Sequence, residues 1–417
     1  MSLIPFVRRA TLSQVCHVLL QQCKVFMGSQ VIGSLLRMLY HWRQGPSSRL
    51  YRVPAPLPCR LAGGDRSPNR CIDSVQFHQL RSPISIQAAP VEFGFRDPIS
   101  QAYLSQLQTA GGTLTETAGV ITAHQIDISL PVGMHRWQGH ILEQTLLSDY
   151  LLTNPKYVWD LERLPFRRKR GQIPDAVLLT MPWHHNFFHW MVEIMPRLQL
   201  YDGIPDLQSL PLIVPQSAPK FVRESLSLAG YDDRTLFLED GVYRFTQLHL
   251  LTRLSVTGDV SPLAIDWLHH VFSPVANRVT FKNPPSKRLY ISRRDANIRR
   301  VTNEAAVEEV LAPLGFETIV PSEYSLAEQI ALFKQAEIVV GSHGAAFANL
   351  AFMRPGGVVI ECFAPGHFNH AYNRIAQLRQ LRYGFLVGQP DRLGFAIDIP
   401  ALTQLIQQAL CQSPLSC

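Results

Sequence analysis

Hydrophobic and polar positions follow two alternating patterns over most of the chain from residue 176 onward. Short runs rich in Val, Ile and Leu predict buried strands, and the segments between them, which repeat apolar residues at helical spacing, predict helices. The predicted strands are residues 176–180, 210–214, 235–238, 288–292, 317–320, 337–340 and 358–361. The predicted helices are residues 186–201, 220–229, 304–314, 325–336 and 346–352. The helix over 325–336 begins with a capping box formed by Ser325 and Glu328.

The part of the chain before this alternation has other patterns. Residues 14–42 predict one helix, which either packs on the body of the protein or lies on an anionic membrane surface. Residues 44–84 are rich in Pro, Gly, Arg and Ser and predict an irregular connection. Residues 84–131 predict short strands separated by turns.

Strands that alternate with helices predict an α/β fold, with parallel sheets covered on both faces. Pro274, Pro284 and Pro285 mark a junction between two such blocks. We therefore predict a leader over residues 1–84, an α/β domain over 85–280 and a second α/β domain over 281–417. A cleft is expected between the two domains.

Composition excludes several classes of protein. The chain of 417 residues is 46% hydrophobic and 17% charged, which excludes a mainly disordered protein. It contains no uncharged apolar run of about 18 residues, the minimum for a membrane span. Polar residues after Arg8 and Arg9 also fit a secretory signal poorly. The seven cysteines are odd in number and irregularly spaced, which favours reduced thiols in the cytoplasm.

Charge is concentrated at the N-terminus. Residues 1–70 contain ten Lys and Arg against a single acid, Asp65, an excess of +9, whereas the net charge of the whole chain is +7 and the remaining residues sum to −2. Such an arm suits an anionic membrane surface or nucleic acid. No zinc-finger spacing, recognition helix or aromatic–basic repeat accompanies it, so we do not expect nucleic acid as a partner.

The sharpest chemical signal is the small-residue loop between the strand at 337–340 and the helix at 346–352. Gly341 and Gly344 can adopt positive φ and leave room for a ligand against the backbone. Together with Ser342, they flank His343, which is a good donor to a phosphate or sugar oxygen. The helix that begins near Ala345 would add its positive end to an anion site. A plain strand-to-helix turn is the alternative.

A second signal is a group of arginines after the strand at 288–292. Four arginines, of which Arg293, Arg294 and Arg300 are the candidates for binding and Arg299 is the fourth, leave the same sheet edge as the glycine loop. Arginine binds phosphate in bidentate fashion and stays charged at any working pH. The pattern favours a diphosphate pocket over a solvated basic loop.

The third signal is a polar stripe on an otherwise apolar helix. Asn186, His189, Glu193 and Arg197 are spaced three, four and four residues apart and share one face of a helix. His189 and Glu193 could act as a general base and its orienting carboxylate. Two alternatives remain open, a buried polar network and a zinc site built with His185. Pro196 should kink the helix or tighten its last turns.

These three segments together resemble glycosyltransferase family 61, especially bacterial capsular or exopolysaccharide members. The resemblance covers residues 175–365. It implies a GT-B architecture, in which two Rossmann-like domains face each other and the C-terminal one holds the nucleotide-sugar. It also implies an inverting transfer from a nucleoside-diphosphate donor to a glycan or lipid-linked glycan, with no cofactor and no required metal.

The resemblance and the residue patterns together give a hypothetical site. The candidate catalytic residues are His189 and Glu193, with His343 as the competing base, and Glu361 is expected to anchor ribose hydroxyls. The candidate substrate-binding residues are Asn186, Arg197, Arg293, Arg294, Arg300, Asn303, Glu304, Gly341, Ser342, Gly344, Ala345, Asn349 and Glu361.

Two other functions compete with this hypothesis. One is a non-catalytic component of an assembly complex that binds a nucleotide or a polysaccharide. The other is a zinc hydrolase built on His184, His185 and His189. We expect a cytoplasmic enzyme, which the segment 14–42 could hold at the inner face of the membrane.

Overall fold

The structure is a computed structural model of the chain. It describes residues 50–51, 75–82, 84–86, 91–92, 98–109, 113–114, 118–136, 141–142, 168–255 and 257–411. The predicted helix over 14–42 lies outside the described residues. Within the described part, no helix is both long enough and apolar enough to cross a membrane.

The first sheet is built from strands between residues 75 and 251. The strands are β2 (Val75–Arg81), β5 (Ala118–Leu130), β6 (Met134–Arg136), β8 (Lys169–Leu178), β9 (Leu212–Pro215), β10 (Thr235–Leu238) and β11 (Gly241–Leu251). Their order in the sheet is β10-β9-β8-β11-β5-β2, with β6 paired to β5. The strands β10, β9, β8 and β11 are parallel, and β5, β2 and β6 add antiparallel pairs.

The second sheet is entirely parallel, as predicted. Its five strands are β12 (Arg288–Ile291), β14 (Phe316–Ile319), β15 (Ile338–Ser342), β16 (Val358–Phe363) and β17 (Arg382–Val387). They run in the order β14-β12-β15-β16-β17. Short pairings complete the strands: β1 (Leu50–Tyr51) with β7 (Ile141–Leu142), β3 (Ser85–Ile86) with β4 (Thr113–Leu114), and β13 (Arg300–Val301) with β19 (Gly394–Ala396), which also pairs β18 (Gln389–Asp391).

Helices fill the connections between these strands. The α-helices are α1 (Pro98–Thr109), α2 (Leu198–Asp202), α3 (Lys220–Leu228), α4 (Pro262–Phe272), α5 (Glu304–Leu311), α6 (Leu326–Gln335), α7 (Ala371–Leu378) and α8 (Ile399–Cys411). Shorter helical turns cover His189–Ile194, Met195–Arg197, Pro205–Ser209, Asp232–Arg234, Val275–Arg278, Ala312–Leu314, Pro321–Glu323 and Ala345–Phe352. The predicted capping box of α6 is confirmed, because Ser325 and Glu328 each accept the other's backbone N–H.

Two predictions for the N-terminal half were wrong in part. The predicted irregular connection over 44–84 contains β2, which pairs with β5. The predicted short strands over 84–131 include the helix α1, whose Tyr103 ring packs 5.4 Å from that of Phe363 and 6.5 Å from that of Phe385. Part of the predicted first domain thus packs on the second sheet.

One continuous apolar core joins the two sheets. It includes Val177 and Leu251 of the first sheet and Val339 and Val359 of the second. The α/β fold class is therefore confirmed. The predicted boundary near residue 280 falls between β11 and β12, and the division into two domains remains a prediction.

Candidate active site

The order of the second sheet creates a crevice at its carboxyl edge. The first strand of this sheet along the chain, β12, lies between the second (β14) and the third (β15). The connections that leave β12 and β15 therefore diverge, and ligands in open parallel sheets bind at such a switch point. The predicted arginine segment follows β12, and the predicted glycine loop follows β15.

The glycines of the loop are required by close contacts with neighbouring residues. A Cβ atom at position 344 would overlap the guanidinium of Arg293, and one at position 341 would lie 2.8 Å from Cβ of Ile291. Gly344 has an extended backbone with φ −176°, so it does not use the positive φ that a glycine can adopt. The helical turn that begins at Ala345 is of the 3₁₀ type. The absence of a side chain at Gly344 is what lets Arg293 lie across the loop.

Arg293 belongs to a cluster with Arg299 and His367, which we call the basic cluster. Nη1 of Arg299 contacts Nε2 of His367, and Nη2 of Arg293 donates to the carbonyl of Ile298 at 3.4 Å. The Nε atoms of both arginines are buried without a hydrogen-bond partner. Arg299 also adopts a left-handed backbone with φ 55°, a strained conformation typical of functional sites.

The basic groups of the cluster are buried close together, and both burial and the neighbouring positive charges lower their pKa values. Burial lowers the pKa of Arg293, and the neighbouring Arg299 lowers it further. Burial, then Arg299, His343 and Arg293, lower the pKa of His367 to about 4. Among the described residues, neither arginine of the cluster forms an ion pair with a carboxylate. An anionic ligand would relieve this repulsion and supply the missing hydrogen-bond acceptors.

The other two predicted arginines engage different partners. Arg294 pairs with Glu308, and its Nε donates to Oγ of Ser292 at 3.0 Å. Arg300 is exposed and donates from Nε and Nη2 to the carbonyls of Ala296 and Arg294, at 2.5 and 3.2 Å. The structure therefore packs only Arg293 of these three against Gly344.

His343 is held by a buried carboxylate. Its Nδ1 contacts Oε1 of Glu361, and the Tyr383 hydroxyl donates to Oε2 of Glu361 at 2.5 Å. Glu361 is fully buried, so its carboxylate serves His343 and Tyr383, and the structure does not present it at the surface for ribose hydroxyls. The hydroxyl of the adjacent Ser342 is buried without a hydrogen-bond partner.

His189 is held in a similar way on the first-sheet side. Its Nδ1 lies 2.6 Å from Oε2 of Glu193, as the predicted pairing of base and orienting carboxylate requires. The other carboxylate oxygen, Oε1, accepts from Thr257 Oγ1 at 2.5 Å and from the Gly258 backbone N–H at 3.2 Å. Three donors therefore fix the Glu193 carboxylate: His189 Nδ1, the Thr257 hydroxyl and the Gly258 backbone N–H.

The helix that carries this pair is irregular. Asn186 Oδ1 accepts the backbone N–H of Phe188 at 2.9 Å, so Asn186 caps the beginning of the helix. Residues His189–Ile194 form a π-helical turn, a feature frequent at functional sites. Pro196 lies in the 3₁₀ turn Met195–Arg197, which agrees with the predicted tightening.

Two predicted binding residues lie in the core. Arg197 is buried, and its Nε donates to the Glu193 carbonyl at 2.7 Å, which stabilises the π-helical turn. Burial lowers the pKa of Arg197 to about 9. Asn349 is also fully buried, and its Nδ2 donates to Oε1 of Gln329 at 3.0 Å. These contacts give both residues a structural role.

Asn303 and Glu304, which follow the arginine segment in the sequence, contact residues of the second half of the chain. Asn303 pairs with the backbone of Ile397 through both its amide oxygen and its amide nitrogen, at 2.9 and 2.8 Å. Glu304 Oε1 accepts from the Tyr290 hydroxyl at 3.3 Å, and its Oε2 lies 3.9 Å from Nε of Arg294. The contacts of both side chains are internal to the second half of the chain.

An aromatic bridge connects the two histidines. The centroid of the Tyr372 ring lies 4.9 Å from that of His343 and 5.5 Å from that of Phe188. The ring centroids of Phe188 and His189 are 5.4 Å apart. Burial first, then Glu361, raises the pKa of Tyr372, and Glu193 acts in the same direction. The His189–Glu193 and His343–Glu361 pairs therefore flank one region between the two sheets.

The alternative hypothesis of a zinc site requires the histidines near His184 to point at one metal ion. Nδ1 of His184 lies 3.0 Å from the Met181 carbonyl, and burial lowers the pKa of His184 to about 4. Across the described part of the chain, no group of three or more His, Cys, Asp or Glu is arranged to hold a metal ion.

The candidate residues chosen from the sequence did not include four residues of this region. Arg299 and His367 complete the basic cluster, Thr257 fixes Glu193, and Tyr372 lies between the two histidine pairs. Arg299 stands next to the predicted Arg300 and was distinguishable only by its strained backbone. The other three follow strands that local patterns do not link to the site.

Part of the chain is similar to a known protein family. Residues 187–360 match the family model described as Glycosyltransferase 61. No curated protein matches the chain. The matched residues begin two positions before His189, include the arginine segment and the glycine loop, and end inside β16, one residue before Glu361. Residues 187–360 therefore form a glycosyltransferase family 61 domain.

Proposed function

We propose that the protein transfers a sugar from a nucleoside-diphosphate donor to a hydroxyl of a glycan or lipid-linked glycan, with inversion and without a required metal. The observation that carries the proposal is the basic cluster at the switch point of the second sheet. Arg293 and Arg299 have buried Nε atoms without partners, and His367 lies against Arg299. This arrangement supports binding of a diphosphate.

The basic cluster would stabilise the leaving group. As the bond between the anomeric carbon and the diphosphate oxygen breaks, the bonding electrons pass to that oxygen. Guanidinium groups form two parallel hydrogen bonds with phosphate oxygens and remain charged throughout. Fixed cations in a site that excludes bulk water stabilise such developing charge more strongly than water does. Two arginines can thereby supply the role that a divalent cation has in other transferases.

His189 is the favoured general base. A hydrogen bond from its Nδ1–H to Glu193 leaves the lone pair of Nε2 available for the proton of the acceptor hydroxyl. The acceptor oxygen then bonds to the anomeric carbon on the face opposite the diphosphate, which inverts the configuration. Glu193 would stabilise the imidazolium that forms, and such base assistance is worth about 10²–10⁴-fold in rate.

Accessibility favours His189 over His343 as the base. The side chain of His189 is 19% exposed and that of His343 is 8% exposed. His343 also packs between the rings of Phe363 and Tyr372, at 5.4 and 4.9 Å. An acceptor hydroxyl can therefore approach His189 more readily, and His343 is better placed beside the basic cluster as a donor to the diphosphate.

The proposal extends to polysaccharide synthesis in the cytoplasm at the membrane surface. The basic segment over residues 1–70 supports this location, because Lys and Arg are attracted to anionic lipid headgroups. The capsular or exopolysaccharide role rests on the resemblance of the sequence motifs.

Binding of nucleoside diphosphates to arginine variants tests the proposal. We expect one of UDP, GDP, dTDP or ADP to raise the unfolding temperature of the wild-type protein, since saturation to 100 times Kd adds about 2.7 kcal/mol of stability. Arg299→Ala should lose this stabilisation. The matched control Arg300→Ala removes an exposed arginine of the same segment and should retain it.

Two results would reject parts of the proposal. Equal loss in Arg299→Ala and Arg300→Ala would show that the basic cluster is not the diphosphate site. Loss of sugar transfer in EDTA, restored by a divalent cation, would reject the metal-independent mechanism. Binding without turnover across UDP- and GDP-sugars and a range of glycoside acceptors would favour the non-catalytic alternative.

A further inference from the structure

A short loop connects the two halves of the site. Residues 257–259 lie between β11 of the first sheet and α4. Thr257 and Gly258 both donate hydrogen bonds to Oε1 of Glu193, at 2.5 and 3.2 Å. The next residue, Asp259, places Oδ1 2.9 Å from Nε2 of His370. One loop therefore holds the carboxylate that orients His189 and is itself held by a histidine from the other half of the chain.

The position of His370 is fixed by the helix that it precedes. His370 is the residue immediately before α7, which follows β16 of the second sheet. Asn369 Oδ1 accepts the backbone N–H of Ala371 at 2.8 Å and so stabilises the beginning of the helix. The start of α7 therefore fixes His370, which in turn holds the Asp259 carboxylate.

Gly258 makes the geometry of the loop possible. Its φ is 89°, in the left-handed region that side chains rarely adopt. The chain turns there, so that Thr257 faces Glu193 while Asp259 faces His370. A displacement of Asp259 would consequently move the two donors that fix Glu193.

We propose that Asp259 and His370 are positioning residues for the catalytic base. The Asp259–His370 pair holds the loop 257–259, the loop holds the Glu193 carboxylate, and the carboxylate keeps His189 in the Nδ1–H tautomer. The link matters because catalytic groups act only when their supporting contacts fix them to about 0.5 Å. This inference rests on the proposed role of His189.

The tautomer of His189 provides a direct readout that needs no substrate. In the full chain labelled with ¹⁵N-histidine, the His189 imidazole signals are identified by their loss in His189→Gln. We expect the Nδ1–H tautomer in the wild-type protein and a mixture of tautomers in Asp259→Ala and His370→Ala. Asp259→Asn and His370→Gln should retain the wild-type spectrum, because their amides can reproduce the hydrogen bond.

A purely structural role predicts a different spectrum. If Asp259→Ala lowers the unfolding temperature and leaves the His189 signals unchanged, the positioning role is refuted. Asp233→Ala, which removes an exposed aspartate of the first half of the chain, is the matched control and should change neither.

Kinetics separate this inference from the proposed function. With UDP- and GDP-sugars and release of the nucleoside diphosphate as the readout, we expect Asp259→Ala to lower kcat about tenfold, the typical effect of losing one charge-assisted hydrogen bond. The donor KM should change by less than about twofold, because the hydrogen bond between Asp259 and His370 involves no residue of the basic cluster. In a His189→Ala background, Asp259→Ala should lower kcat no further.

Each outcome has a distinct meaning. A further tenfold loss in the His189→Ala background would show that the Asp259–His370 pair acts elsewhere. Full turnover in His189→Ala itself would reject the proposed base, while the tautomer of His189 would still decide whether Asp259 positions it.

Discussion

Glu193→Gln is an isosteric change with a disproportionate expected effect on turnover. Oε1 of Glu193 accepts from two donors, the Thr257 hydroxyl and the Gly258 backbone N–H. The amide oxygen of glutamine must therefore occupy the Oε1 position, since an amide NH₂ there would face two donors. The NH₂ group would then lie at the Oε2 position, 2.6 Å from Nδ1 of His189 in the wild-type protein.

This placement reverses the tautomer of His189. Nδ1 must accept from the new amide, so the imidazole proton moves to Nε2, which can no longer accept a proton from the acceptor hydroxyl. Loss of general-base assistance costs about 10²–10⁴-fold in rate. We therefore expect kcat to fall by about 10²-fold or more. Affinity for the nucleoside diphosphate should be unchanged, because Glu193 lies on the first-sheet side.

The assay is the initial rate of sugar transfer, with nucleoside diphosphate affinity and the unfolding temperature measured on the same preparations. Glu239→Gln is the matched control, because Glu239 is an exposed partner of Arg170 on the surface. If Glu193→Gln kept kcat within about threefold of the wild-type value while His189→Ala lost it, the tautomer argument would be wrong. Glu193 would then only stabilise the fold.

Two further predictions concern the glycine loop and pH. A Cβ at position 344 would overlap Arg293, so Gly344→Ala should displace that guanidinium and weaken nucleoside diphosphate binding about tenfold or more, as loss of a charge-assisted contact does. Isothermal titration calorimetry measures the affinity. Gly171→Ala is the control and should bind normally, because its Cβ would meet Tyr243 at an ordinary 3.6 Å. Burial lowers the pKa of His184 from 6.5 to about 4, so the unfolded chain binds the proton more readily and acid favours unfolding. Urea denaturation should show stability falling by about 1–3 kcal/mol as the pH falls from 6.5 towards 4, and a smaller fall in His184→Asn.

Contacts between residues close in the sequence were predictable. His189 and Glu193 are four residues apart, and any helical turn brings such residues together, so their pairing followed from spacing alone. The capping box of α6 is local in the same way. The alternation of apolar runs also indicated a parallel sheet, because strands buried on both faces need continuous hydrophobic residues.

Contacts between distant residues depended on the order of the strands. His343 contacts Glu361 because β15 and β16 are neighbouring strands. The residue types alone do not indicate that these two side chains meet. The sequence suggested Glu361 as a ribose anchor, since a carboxylate at a strand end is normally accessible. Only the fold shows that α1 and β17 bury this strand end, with Tyr383 donating to the carboxylate.

The sequence alone determined the fold class, the glycine loop, the presence of arginines after β12 and the His189–Glu193 pair, because each depends on local spacing. The tertiary structure decided which arginines meet and why Gly344 must be glycine. Arg299 and His367 are 68 residues apart and meet only because β12 and β16 end at the same sheet edge. Side chains brought together across a sheet have no signature in the spacing of the chain.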